Sequence, residues 1–263
     1  MPQTYVALDL ETTGLDTEND SIIEVGAVRF SLDGKIDEFS TLVNPGKSLA
    51  PIVQRLTGIT DRDLATAPPI EAVASDIEQF LSGSILVGHN ACGFDAPMLD
   101  AHRIQRPFAI YDTQQIAEVL LPAAGHYGLA DLTSSLSIVL DGHHRALADA
   151  EASRQLFLAL IEKAMELPSE TLSQIGQWLT PTALPWRGFF REAWELRGSR
   201  PSNGRPPRAR ASESSPPVRS SRATDPVPVP VEQSLEILRS ASARTDVFEA
   251  FEERSQQVQM LSA

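Results

Sequence analysis

Tyr5-Val-Ala-Leu-Asp-Leu-Glu11 is the stretch from which the rest of the chain is read. A strand period of two puts Val6, Leu8 and Leu10 on one face and Ala7, Asp9 and Glu11 on the other, so two carboxylates project side by side. Like charges held that close repel, and the arrangement makes sense chiefly when a hard cation such as Mg²⁺ or Mn²⁺ sits between them. Two solvated carboxylates at an exposed strand end are the bland alternative.

Outward from this strand, residues 22–30 and 38–43 are further apolar runs, separated by turn-type residues at 17–21 and 31–35. Together they read as a three-stranded meander. Past Pro51 the period changes. Residues 52–56 make one helical turn, and Ile70, Val73, Ala74, Ile77, Phe80 and Leu81 recur at helical spacing over 70–81. Residues 85–87 read as a buried strand, and helices are expected at 96–103, 113–121, 129–136 and 146–166. Strands first and mixed elements afterwards predict an α/β domain, one sheet with helices packed against it.

Two more clusters carry chemistry-bearing residues. In Gly88-His-Asn-Ala-Cys-Gly-Phe-Asp-Ala-Pro97, a loop leaves the buried strand and enters a helix. Asp95, two residues before Pro97, has the look of a helix N-cap, while His89 and Asn90 alone are ordinary loop residues. Cys92 reads as a small buried apolar residue. In His143-His-Arg-Ala-Leu-Ala-Asp149, a helix starting near Arg145 sets Asp149 on its first turns and His144 at its mouth, so both can address one cleft. A structural histidine and a first-turn acid favoured by the helix dipole explain either one separately.

Taken jointly, Asp9-Leu-Glu-Thr-Thr-Gly-Leu15, the Asn90/Phe94-Asp95 pair and His144-x4-Asp149 resemble the three exonuclease motifs of the DEDDh (DnaQ-like) group, which includes the proofreading epsilon subunit of bacterial DNA polymerase III. The resemblance extends over roughly residues 3–165 and takes in Ile22-Ile-Glu-Val-Gly-Ala-Val28, Leu56-Thr-Gly-Ile-Thr60 and Tyr111-Asp-Thr113. Three residues separate Asn90 from Phe94 where many relatives have two. It implies a ribonuclease H-like fold, a mixed five-stranded sheet flanked by helices. It also implies 3′→5′ exonuclease activity that releases nucleoside 5′-monophosphates. In that scheme Asp9, Glu11 and Asp149 hold one divalent ion, Mg²⁺ or Mn²⁺, Asp9 bridges to a second, and Asp95 joins through water. His144 is the general base, a role that an imidazole near pKa 6.5 suits. Backbone near Thr12 and Thr13 holds the terminal nucleotide, Leu15 wedges against its base, and His89, Asn90 and Phe94 complete the substrate contacts. Core packing is the competing account of Leu15 and Phe94.

Single-stranded DNA 3′ ends are the expected substrate, with RNA 3′ ends or a non-catalytic nucleic-acid-binding role as alternatives. The net charge of -13 argues against a broad basic nucleic-acid surface and predicts a weak, salt-sensitive grip on DNA. One cysteine excludes an intrachain disulfide framework, and the absence of a signal-like start and of any run of about 20 apolar residues predicts a cytoplasmic protein with no membrane role.

The exonuclease domain is expected over 1–166, a helical extension with Trp178, Trp186, Phe189, Phe190 and Trp194 as anchors over 167–196, and a Pro/Ser/Arg-rich disordered linker over 197–231. Beyond it, residues 232–263 return to helical periodicity, and Phe251-Glu-Glu-Arg-Ser-Gln-Gln-Val-Gln-Met260 is similar to the adenine-reading segment of DinG-type helicases, with Arg254, Gln257 and Met260 as the matching residues. A fused or partner helicase, or a polymerase partner, is the expectation that follows. No Gly-rich Lys-Ser/Thr phosphate loop is present for ATP hydrolysis.

Overall fold

The structure, a computed structural model, describes residues 3–138 and 145–199. His144, the linker residues 200–231 and the expected helical segment 232–263 lie outside the described residues.

Strands β1 (Tyr5–Thr12), β2 (Ile22–Ser31) and β3 (Gly34–Leu42) form the expected antiparallel meander. After α1 (Pro51–Thr57), α2 (Asp61–Leu64) and α3 (Ile70–Leu81), β4 (Ile85–Gly88) enters parallel to β1 on its other side. Helix α4 (Asp95–Ala101) leads to β5 (Ile110–Asp112), which pairs parallel with β4. The sheet order is β3-β2-β1-β4-β5, the mixed five-stranded sheet expected of a ribonuclease H-like fold. Then follow α5 (Thr113–Leu120), α6 (Leu129–Ser135), α7 (Ala146–Glu166), α8 (Ser169–Leu179) and α9 (Phe189–Ser199). No described helix is long and apolar enough to cross a membrane.

The two-residue period of β1 sorts the core. Val6, Leu8 and Leu10 pack towards α3 and α4 with Ile77, Leu81, Met98 and Leu99. Tyr5 and Ala7 face the other way, into a core shared with Phe157, Leu160, Ile116, Phe189 and Phe190. Asp9 and Glu11 continue that second face beyond the last apolar residue, where α7 begins. Burial of the apolar alternation therefore fixes the direction in which the carboxylates point.

The differences from expectation have local causes. Strand β3 begins at Gly34, four residues earlier than residue 38, because the turn consists of Leu32 and Asp33 only; Lys35 to Glu38 lie on an exposed edge, and their polar pattern hides the strand. β5 is three residues long, too short for a period. α2 is held by a capping box between Thr60 and Asp63, a Thr-x-x-Asp signal that sequence reading passed over. In the extension, Trp186, Phe189 and Phe190 are buried anchors, whereas Trp178 (70% exposed) and Trp194 (47%) are not. α9 runs to Ser199, past the residue 197 expected to open the linker.

Candidate metal-dependent active site

Three carboxylates meet where β1 runs out and α7 starts: one oxygen from each of Asp9, Glu11 and Asp149 lies within 4.8 Å of the other two. Asp9 and Glu11 come from alternate positions of β1. Asp149 stands in the first turn of α7, its amide bonded to the Arg145 carbonyl at 3.0 Å. Close by, the fourth acid, Asp95, is 3% exposed, and its Oδ1 is buried without a hydrogen-bond donor among the described residues. The helix-cap account of Asp95 fails, because the cap position belongs to Phe94 and Asp95 is the first residue inside α4.

Such crowding has the expected electrostatic consequence. Burial, then the charges of Asp95, Asp149, Glu11 and Glu24, hold the Asp9 carboxyl well above the usual carboxylate range. Burial and the charges of Asp149 and Glu24 push Glu11 up to about 7, against the pull of Arg145. Asp95 is pushed to about 7 by burial, with Asp112 and Glu11 adding to it, although its own amide and that of Leu10 favour the charged form. An all-oxygen, anionic donor set with an orphaned buried oxygen is the chemistry of a hard divalent cation site. The residues fit the ions that the motifs imply.

Around this centre the structure distributes the expected substrate residues unevenly. Leu15 is 85% exposed, which excludes core packing for it. Its loop is pinned underneath: the Thr12 hydroxyl donates to the Gly14 carbonyl (2.6 Å), the Thr13 hydroxyl to Asp20 Oδ1 (2.7 Å) and the Thr13 amide to the Ser21 carbonyl (2.9 Å). These bonds narrow the expectation that backbone near Thr12 and Thr13 grips a nucleotide, since the Thr13 amide is already in use. Phe94 is partly buried against the core beneath α3 and α4, so packing accounts for much of its surface.

His89 is committed inside the protein. Its Nδ1 lies 3.0 Å from Thr113 Oγ1 and its Nε2 2.8 Å from the Tyr127 carbonyl, and burial holds its pKa below the ordinary value. No ring nitrogen is left for a nucleotide. Asn90 is exposed, in the left-handed region at φ 57°, with Gly93 and Phe94 donating to its carbonyl at 3.0 Å each. Cys92 is partly buried rather than fully so, and burial pushes its thiol up to about 12, which leaves it unreactive.

Sequence reading gave no role to Asp112, Glu24, Gly26 or Arg145. The fully buried Asp112 carboxylate accepts from the amides of Asn90 (3.2 Å), Cys92 (2.9 Å), Gln114 (3.1 Å) and Gln115 (3.3 Å), tying the loop that delivers Asp95 to the start of α5. Glu24 of β2 accepts from the Arg145 guanidinium and the Ala146 amide. The signal for Glu24, Gly26 and Asp112 was membership of the segments around 22–28 and 111–113 that carry the family resemblance, and for Arg145 its place inside the His144-x4-Asp149 motif.

A carboxylate cluster at the end of the central strand of a mixed five-stranded sheet, completed from the first turn of a late helix, is the arrangement of a metal-dependent nuclease of ribonuclease H-like fold. The family model described as exonuclease (RNase_T) matches residues 6–157, and the chain belongs to this family, as the DnaQ-like motifs led one to expect. Its members are divalent-metal-dependent phosphodiester hydrolases. Among curated proteins, the chain is 34% identical over 179 residues to the PolC-type DNA polymerase III of Caldanaerobacter subterraneus subsp. tengcongensis, covering 66% of this chain and 13% of that protein. It is 36% identical over 165 residues to the Lactococcus lactis PolC-type enzyme, covering 61% of this chain and 10% of the relative. The match thus spans only about a tenth of the length of these relatives. Among solved structures it is similar to exonuclease X in complex with 5′-overhanging duplex DNA (26% identity, TM-score 0.50, 60% of this chain and 91% of that one). The zinc-bound complex of E. coli exonuclease I with single-stranded DNA shares the fold (20% identity, TM-score 0.55, 67% and 44% covered).

Proposed function

We propose that this chain is a 3′→5′ exonuclease that hydrolyses the terminal phosphodiester of DNA 3′ ends and releases nucleoside 5′-monophosphates, using two divalent ions, Mg²⁺ or Mn²⁺. The observation that carries the reading is the meeting of Asp9, Glu11 and Asp149 within 4.8 Å beside the orphaned Oδ1 of Asp95. Asp9, Glu11 and Asp149 would hold one ion, with Asp9 and Asp95 addressing the second. Bound there, the ions supply positive charge against the attacking and leaving oxygens of an in-line displacement.

The chain's own residues supply position and proton transfer. His144, immediately before Arg145, takes a proton from the attacking water as the P–O3′ bond breaks, and the 3′ oxygen leaves on the shortened strand. Leu15, held out in solvent on its pinned loop, gives the terminal base an apolar face to rest against. Asn90 and the exposed part of Phe94 border the same nucleotide. DNA is favoured as substrate because the curated relatives are DNA polymerases and exonuclease X was captured with DNA. Residues 1–166 are the catalytic domain, 167–199 its helical extension up to the end of α9, and the Pro/Ser/Arg-rich segment that follows, to residue 231, connects it to a helicase-like segment at 232–263, a reading supported by Arg254, Gln257 and Met260.

The test is digestion of 5′-labelled single-stranded DNA and RNA of one sequence with Mg²⁺, alongside His144→Ala. The expected result is a ladder shortening from the 3′ end, faster on DNA, and nearly lost in His144→Ala. Preference for RNA would reassign the substrate, and an undiminished His144→Ala rate would remove that residue as base.

A further inference from the structure

Glu24 is 1% exposed, yet it lies on β2 directly opposite Glu11, beside a centre already crowded with carboxylates. Among the described residues, the hydrogen bonds of its carboxylate all run to one place 121 or more residues away. The Arg145 Nε donates to both carboxylate oxygens at 3.1 Å, Nη2 donates to Oε1 at 2.7 Å, and the Ala146 amide donates to Oε2 at 3.1 Å. Helix α7 has no side-chain cap of its own: Arg145 occupies the cap position, and Glu24 reaches across from the sheet to satisfy an amide of the first turn.

Stability alone is a poor account of this arrangement. A local Ser, Thr or Asp at position 145 would cap the helix without burying a carboxylate, and the Arg145 side chain that Glu24 meets is 55% exposed, so solvent screens much of the pair's attraction. A further acid also costs something here, since the Glu24 charge adds to the repulsion felt by Asp9 and Glu11. What the fork provides is placement. Asp149 sits one helical turn from Arg145 and is joined to it by the first intrahelical hydrogen bond, at 3.0 Å. Two residues along β2, Gly26 leaves bare backbone where Ala146 and Leu147 come down, since a Cβ there would fall inside their peptide bond. The sheet therefore offers a seat at Gly26 and a latch at Glu24, both for the same turn of helix.

We infer that Glu24 is a positioning residue of the metal site, fixing through Arg145 and the Ala146 amide where the first turn of α7 lies and hence whether Asp149 closes on Asp9 and Glu11. The inference rests on the reading of that cluster as a divalent cation site. Glu24 itself touches neither ion nor substrate.

The experiment is Mn²⁺ binding to the full chain by electron paramagnetic resonance, well below each variant's melting temperature, for wild type, Glu24→Gln, Glu24→Ala, Arg145→Lys and Asp149→Ala. Glu24→Ala should weaken Mn²⁺ binding by roughly 10–100-fold, the range typical of groups that orient metal ligands. Glu24→Gln, which keeps the shape and one acceptor oxygen, should fall between Glu24→Ala and wild type. Arg145→Lys should weaken binding as well, because an ammonium cannot reproduce the two-pronged fork. Raising Mn²⁺ should restore turnover in the Glu24 variants but not in Asp149→Ala. Melting temperatures that drop while Mn²⁺ affinity stays at the wild-type value would overturn the inference and leave Glu24 a purely structural anchor. If Glu24→Ala does not fold, unchanged affinity in Glu24→Gln and Arg145→Lys has the same force. Undiminished binding in Asp149→Ala would instead refute the metal-site reading itself, and the two failures are thereby told apart.

Discussion

Asp9 on β1 pairs with Gly26 on β2 across the antiparallel register, and the side chain that Gly26 lacks is the space into which α7 descends to bring Asp149 to Asp9. A β2 strand carrying any larger residue at 26 would hold the helix away, and the third carboxylate with it.

Gly26→Ala should therefore cost about 1–3 kcal/mol of folding stability, the usual range for overpacking a tight contact. Activity should fall further than the loss of folded protein explains. Urea unfolding and turnover measured on one preparation check this, and an unchanged midpoint with full turnover would show that the close approach is dispensable.

Without metal, the carboxylate cluster should make the protein less stable as pH rises. Glu11 and Asp95 move from ordinary values of 4.5 and 3.8 up to about 7 in the folded state, so the folded protein holds their protons more tightly than the unfolded chain. Their contribution is fully present below the unfolded values and is lost as pH climbs through about 7. The melting temperature of chelator-treated protein should drop between roughly pH 5 and 8. Saturating Mg²⁺ should flatten the drop, with proton release on binding. A metal-free melting temperature that held level or rose across that window would count against the cluster's electrostatics.

Outside the cluster, one more carboxylate has the same sign, again chiefly through burial. Glu192 of α9 accepts from the hydroxyls of Tyr5 and Tyr111, the latter at 2.8 Å, and burial followed by the Glu195 charge pushes it up to about 7. Glu192→Gln keeps the acceptor and removes the charge. Its stability should fall less between pH 5 and 8 than wild type, with turnover at saturating metal unchanged; denaturation at the two pH values tests the first and initial rates the second. Equal pH dependence in variant and wild type would refute it.

Leu15→Ala separates substrate contact from packing. At 85% exposure the side chain contributes nothing to the core, so stability should stay within about 0.5 kcal/mol of wild type. The KM for a single strand should rise. A variant that unfolds more easily, or binds and cuts as well as wild type, would remove the wedge.

How much of this was legible in advance follows from the range of the interactions. The faces of β1 were readable because alternation is local, and Asp149 was placed because a helix starting near residue 145 puts it on the first turn. β5 and the start of β3 escaped, one too short for a period and the other polar along an exposed edge. The fork between Arg145 and Glu24 joins residues 121 apart, and the fit of Gly26 against α7 is a matter of backbone proximity. Neither leaves a periodic trace. His89 was misjudged for the opposite reason: its motif position suggested substrate contact, while Thr113 and the Tyr127 carbonyl, distant in sequence, take up both ring nitrogens.

The most direct test of the central claim is the rate of 5′-labelled single-stranded DNA digestion by the full chain during Mg²⁺ titration after chelation, for wild type and Asp9→Ala. No cleavage is expected without metal, with shortening from the 3′ end that saturates with Mg²⁺ and loss of activity in Asp9→Ala at every concentration. Cleavage that persists in chelator, or an Asp9→Ala chain that cuts at the wild-type rate, would contradict it.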